Sequence, residues 1–128
     1  MQIDHVGIAT ADAADLGALY TDLFDATVVH EETFNDMQVV FLDFGNATLE
    51  LLEPLSDNGT IASYLDRNGS GIHHLAVETE SVQDALDQAR DLDIRCIDEE
   101  PRPGAWGHDV AFLHPKDTGG VLIEFVEH

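Results

Sequence analysis

Two stretches of this chain are near copies of each other, and that duplication limits the folds available more than any other feature. Ile3-Asp4-His5-Val6-Gly7-Ile8 reads like Ile72-His73-His74-Leu75-Ala76-Val77, so that His5 aligns with His74. Each is a short run with alternating faces. In each, the aligned histidine shares its face with a small residue two places later, Gly7 or Ala76, which leaves room beside the imidazole. A helical pattern follows both runs. Leu16, Leu19, Tyr20 and Leu23 recur at helical spacing in the first, and Val82, Ala85, Leu86 and Ala89 in the second, with Ser81 and Asp84 as an N-terminal cap pair.

Further strands are expected after each helix. The first half offers 26–31, 38–44 and 47–52, with Gly45-Asn46 as a hairpin turn. The second offers 94–97, 110–113 and 121–126, with Gly119-Gly120 ahead of the last. The fourth strand of each half carries one glutamate among apolar residues, as Leu49-Glu50-Leu51-Leu52 and Ile123-Glu124-Phe125-Val126. The glutamates lie slightly further apart than the histidines, so the second half has gained a few residues. Ile61 to Leu65 reads as a linking helix ended by Asn68-Gly69. The expected fold is therefore α+β, with two tandem βαβββ modules forming a curved mixed sheet around a metal site. Module one covers about 1–56, the linking helix about 59–69 and module two about 70–128, all within one domain.

Taken singly, a histidine on a strand is more often structural than a ligand, and a strand glutamate more often faces solvent. The repeat changes the weighing, because His5, Glu50, His74 and Glu124 fall at equivalent places in both halves. Two imidazole nitrogens and two carboxylate oxygens suit one divalent ion of the Co, Mn, Zn, Ni or Mg group. They also leave coordination positions open for water or substrate. Cys96 is the only cysteine, which rules out an intrachain disulfide and a cysteine-rich zinc centre; it reads as a small buried hydrophobe.

Charge narrows the partners. Twenty-six acidic residues face five basic ones, for a formal charge of −21, and the acids are scattered through helices and turns. Such a surface repels nucleic acid and anionic membranes. With so little lysine it also fits a cytoplasm of molar salt, where screening removes the self-repulsion, so a halophilic source is expected. No apolar run reaches a membrane-spanning length, and the N-terminal residues do not read as a leader, so a cytoplasmic location is expected.

The paired βαβββ pattern resembles the vicinal oxygen chelate, or glyoxalase-like, superfamily. Within it the chain is similar to the methylmalonyl-CoA epimerase family over nearly its whole length. The resemblance rests on Ile3 to Ala9, Leu49 to Leu55 and Gly71 to Ala76. Above all it rests on Phe112-Leu113-His114-Pro115-Lys116-Asp117 running into Gly119-Gly120-Val121-Leu122-Ile123-Glu124. It implies epimerisation of (2R)- and (2S)-methylmalonyl-CoA by proton transfer at carbon 2 through an enolate. It makes His5, Glu50, His74 and Glu124 the metal ligands and Glu124 also a proton carrier. Some members of the family carry glutamine at the position of Glu50, and some place a second base on the third strand of the first half. Here that position is Val39, beside Gln38, with Glu31, Glu32 and Asp36 nearby in sequence.

For the coenzyme A phosphates the resemblance favours Lys116 and Arg102, in the loops around its most specific segment. Trp106 is a residue to pack on the ligand or to close the core. His108 and His114 read as loop residues, His30 and His128 as surface. A homodimer is implied by the superfamily. The competing functions are a lactoylglutathione lyase-like isomerase, a ring-cleaving dioxygenase and a non-catalytic ligand-binding protein on the same scaffold. A dioxygenase typically holds iron through two histidines and one carboxylate, whereas this chain offers two carboxylates. The sequestering proteins often lack ligands at these positions.

Overall fold

The computed structural model describes all residues, Met1–His128. The chain forms two compact units. One comprises His5–His73; the other comprises Met1–Asp4 with His74–His128.

In the first unit, β1 (Gln2–Ala9) leads through Thr10 and Asp12 into helix α1 (Ala13–Phe24). Asp12 caps the helix by accepting from the Asp15 N–H at 2.9 Å. A second acceptor comes from far along the chain: Glu53 takes the Ala13 N–H at 2.8 Å. A carboxylate at that end also complements the helix dipole. Strands β2 (Thr27–Phe34) and β3 (Met37–Asp43) form a hairpin whose two turn residues, Asn35 and Asp36, both have positive φ. The second hairpin turns at Gly45-Asn46 as expected, with Phe44 N–H donating to the Ala47 carbonyl at 3.0 Å and Gly45 at φ 90°. It leads into β4 (Thr48–Pro54), which pairs antiparallel with β3 and parallel with β1. Val40, Leu42 and Leu51 pack with Ala13 and Ala26 under α1, so the opposite face of this sheet carries His5, Phe41 and Glu50. Helix α2 (Thr60–Asn68) follows and is closed by the Gly69 N–H on the Leu65 carbonyl, 2.8 Å.

The second unit repeats the plan. β5 (Gly71–Glu78) leads to α3 (Val82–Asp91), where Ser81 accepts from the Asp84 N–H at 3.1 Å and Glu127 from the Val82 N–H at 2.9 Å. Three strands follow: β6 (Arg102–Pro103), β7 (Asp109–Phe112) and β8 (Ile123–Glu127), with β8 parallel to β5. Val82, Leu86 and Ala89 of α3 pack on Ala111 and Leu113, with Ile123, Phe125 and Cys96 against that cluster. The strands run in the order β2-β3-β4-β1 in the first unit and β5-β8-β7-β6 in the second, with parallel and antiparallel neighbours in each. The α+β class and the doubled βαβββ plan are as expected from the sequence.

One strand is not where the sequence placed it. Residues 94–97 make a single bridge, Cys96 to Leu113, and no ladder. The cause is next in the chain: the Asp98 carboxylate takes the Phe112 N–H at 2.9 Å, a place a backbone carbonyl would fill if the ladder continued. The edge position falls instead to the two-residue β6, where Pro103 is tolerated because an edge strand has one unpaired side. No helix of the protein is long and apolar enough to cross a membrane.

Candidate active site

Each unit holds one buried histidine–glutamate pair, built in the same way. In the first, parallel pairing sets Gly7 beside Glu50 and His5 beside Thr48, so the His5 and Glu50 side chains emerge on one face. His5 Nε2 lies 3.3 Å from Glu50 Oε1, and the two residues are 4% and 6% exposed. In the second, Ala76 stands beside Glu124, and His74 Nε2 lies 3.2 Å from Glu124 Oε1, again with both side chains buried. A phenylalanine meets each imidazole edge-on: Phe41 on His5 at 5.9 Å and 86°, Phe112 on His74 at 5.6 Å and 83°. These rings restrict how each imidazole can turn.

Burying a carboxylate is costly without a compensating charge. The spacing within each pair says what compensation suits it. A charge-assisted bond between imidazolium and carboxylate closes to about 2.7–2.9 Å. Two donors roughly 2.1 Å from a common ion, at angles between octahedral and tetrahedral, stand about 3.0–3.4 Å apart. Both pairs fall in the second range. Each also offers one borderline nitrogen and one hard oxygen, so the donors present fit a divalent ion.

Residues 4–112 match the Glyoxalase/Bleomycin resistance protein/Dioxygenase superfamily. The mitochondrial methylmalonyl-CoA epimerase of Homo sapiens is 37% identical over 126 residues, 96% of this chain and 72% of the human one. The chain belongs to the methylmalonyl-CoA epimerase family. An ethylmalonyl-CoA/methylmalonyl-CoA epimerase of Cereibacter sphaeroides is 36% identical, covering 96% of this chain and 95% of that one. Among solved structures, methylmalonyl-CoA epimerase from Mycobacterium tuberculosis superposes with a TM-score of 0.93 at 35% identity, over 98% of this chain and 87% of that one.

The other residues singled out from the sequence divide into those near a pair and those apart. Arg102 belongs to the second unit's pair by a short relay. Its Nε donates to Asp98 at 2.8 Å, and its guanidinium sits 5.5 Å over the Phe112 ring that abuts His74. Lys116 is exposed on the 3₁₀ turn Pro115–Asp117, where His114 Nδ1 accepts the Lys116 N–H at 3.3 Å. That turn is anchored by Asp117, which takes bonds from the Arg95 backbone and guanidinium at 2.9–3.1 Å. The hydrogen bonds from Arg95 lower the Asp117 carboxyl to about 2, below the usual carboxylate range. Trp106 does not close the core: it stands 37% exposed at φ 62° beside His108.

His30 is the correction among the histidines. It is half-buried, not a surface residue, with Nε2 2.9 Å from Glu32 Oε1 and its ring 6.0 Å from Phe41. His128 is exposed as expected and is hydrogen-bonded to Asp4. Sequence reasoning passed over Glu53 and Glu127, which pin the helix starts from the strands that carry Glu50 and Glu124. A signal for them was present. Each stands three places after a buried glutamate, so this pair repeats at the same interval as Glu50 and Glu124.

Proposed function

We propose that this protein interconverts (2R)- and (2S)-methylmalonyl-CoA, with one divalent ion held by His5, Glu50, His74 and Glu124 together. The observation that carries the proposal is the duplicated buried His–Glu pair, at donor spacing suited to a shared ion, in a chain of the epimerase family. When bound, the ion supplies Lewis-acid stabilisation of negative charge growing on substrate oxygens, worth several kcal/mol in general. The donor set accepts any of Co, Mn, Zn, Ni and Mg.

The chain's own residues perform the proton chemistry. Glu124 takes the proton from carbon 2, or returns it, as the C–H electron pair moves into the thioester carbonyl to form the enolate. Return of a proton on the opposite face inverts the centre. Arg102 and Lys116 are the proposed contacts for the anionic groups of coenzyme A, and Arg102 is the better placed, over Phe112. The whole of residues 1–128 acts as one functional domain, cytoplasmic and homodimeric, with no nucleic acid or membrane among its partners.

The direct test is proton exchange. In D₂O the metal-loaded protein should place deuterium at carbon 2 of both enantiomers of methylmalonyl-CoA while interconverting them. Absence of exchange, with turnover of a hemithioacetal of glutathione instead, would move the protein to the lyase-like branch.

The charge of −21 supports a halophilic source. Dialysis from molar KCl into dilute buffer should lower the thermal midpoint, by roughly 3–5 °C for every kcal/mol of lost stability in a domain of this size. Divalent metal should restore part of that loss by binding only the folded state. A midpoint that stays constant across the salt range would remove the halophilic reading and leave the epimerase untouched.

A further inference from the structure

We propose that Glu32, oriented by His30, is the second proton carrier of the epimerisation. The proposal rests on the epimerase reading and adds the residue that serves the other face of carbon 2.

The placement depends on a break in strand alternation. In β2, Val28 stands opposite Leu42, which lies on the helix-covered face. Simple alternation from Val28 would put His30 and Glu32 on that same face. A register shift between Val28 and His30 inserts one residue, Val29, and reverses the parity of everything after it. His30 then stands opposite Phe41, and Glu32 opposite Val39, which in turn faces Leu52 on β4. Phe41 is paired with Glu50 and lies edge-on to His5. Thus His5, Glu50, Phe41, His30 and Glu32 occupy one face of the first unit's sheet. Glu31 takes the opposite face and is exposed, and Asp36 is used in the hairpin turn. Of the three acids near this strand, only Glu32 shares the face of the buried pair.

The environment suits a proton carrier. The side chains of His30 and Glu32 are 28% and 26% exposed, against 8% for Glu50. A carrier must reach both substrate and solvent, because each turnover leaves one carboxyl protonated and the other not. Exchange with water resets them. His30 fixes the carboxylate through Oε1 at 2.9 Å, the hydrogen-bonded base-and-orienter arrangement that general acid–base catalysis uses.

The repeat supplies an independent argument. In the second unit the group lying over the equivalent phenylalanine, Phe112, is the Arg102 guanidinium. In the first unit the group at Phe41 is the His30 imidazole with its carboxylate partner. By register Arg102, opposite Val110, corresponds to Glu32, opposite Val39, so the halves agree in histidine, glutamate and phenylalanine and differ at this edge-strand position. One edge presents a fixed cation and the other a group that can gain and lose a proton.

The proton path is balanced. Starting from one enantiomer, Glu124 accepts the carbon 2 proton and a protonated Glu32 delivers its own to the opposite face. From the other enantiomer the two exchange roles. No oxidant or further reactant enters.

The experiment uses the metal-loaded full chain in D₂O, with each pure enantiomer in turn. Glu32→Gln should cut interconversion by about 10²–10⁴-fold. It should also abolish deuterium wash-in from the enantiomer whose proton faces Glu32. Wash-in from the other enantiomer should survive, since Glu124 can still remove and return that proton. His30→Gln, which can still hydrogen-bond Glu32, should lose less than about tenfold, and Glu31→Gln should match the wild type. Interconversion at the wild-type rate in Glu32→Gln would overturn the proposal. So would equal loss of exchange from both enantiomers with metal content unchanged, the mark of a structural role, or a His30→Gln loss as deep as that of Glu32→Gln. Failure of the epimerase reading looks different, because the wild type itself would then exchange neither enantiomer.

Discussion

His74→Ala should purify as a folded protein that has lost its divalent ion and its epimerase activity together. His74 is 4% exposed on β5, with Glu124 3.2 Å away and Phe112 edge-on to its ring. Truncation removes one of four proposed donors. Changing a residue that merely orients a ligand already costs metal affinity roughly 10–100-fold, so deletion of a donor should cost at least that much. The fold should survive, because leaving the partner carboxylate buried costs about 3–5 kcal/mol, at or below the ~5–15 kcal/mol typical of a domain. Metal analysis and circular dichroism of the purified variant decide it. Stoichiometric metal with full turnover in His74→Ala would exclude this residue from the ion's ligands.

Glu50→Gln and Glu124→Gln should separate two roles that the geometry makes look the same. Both residues are buried, and each sits 3.2–3.3 Å from a histidine nitrogen. An amide keeps an oxygen able to coordinate and loses nearly all basicity, so the substitution removes proton transfer more than metal binding. Glu50→Gln should keep its ion and most of its turnover. Glu124→Gln should keep at least part of its ion and lose about 10²–10⁴-fold in rate, the usual contribution of a positioned base. Deuterium wash-in should fall for the enantiomer served by Glu124. If Glu124→Gln held its metal and exchanged both enantiomers normally, Glu124 would be a ligand alone. The proton carriers would then have to be sought elsewhere, beginning on β2, where the register sets Glu32 on the same sheet face as Glu50.

The duplication made much of this protein legible before any coordinates. Both halves carry a histidine on their first strand and a glutamate on their fourth, so that His5 and Glu50 recur as His74 and Glu124 at nearly equal intervals. Helix starts were readable at Ser81 because a cap acts through a neighbour one turn away. The caps supplied by Glu53 and Glu127 were not read, since each reaches across a long loop of chain to a helix N–H.

What the sequence determined by itself is the plan: two βαβββ halves, the side-chain types of the buried pairs, and a strongly acidic charge balance. What only the tertiary structure decided is where irregular strands turn their side chains. Residues 94–97 have the composition of a strand, yet the Asp98 carboxylate occupies the Phe112 N–H and ends the ladder there, leaving Arg102 to form the edge. Along β2 the inserted residue at Val29 turns His30 and Glu32 onto the face of His5 and Glu50. Alternation along a strand is a local rule, but the point at which it is broken depends on hydrogen bonds to a different strand. Those bonds exist only once distant parts of the chain have paired.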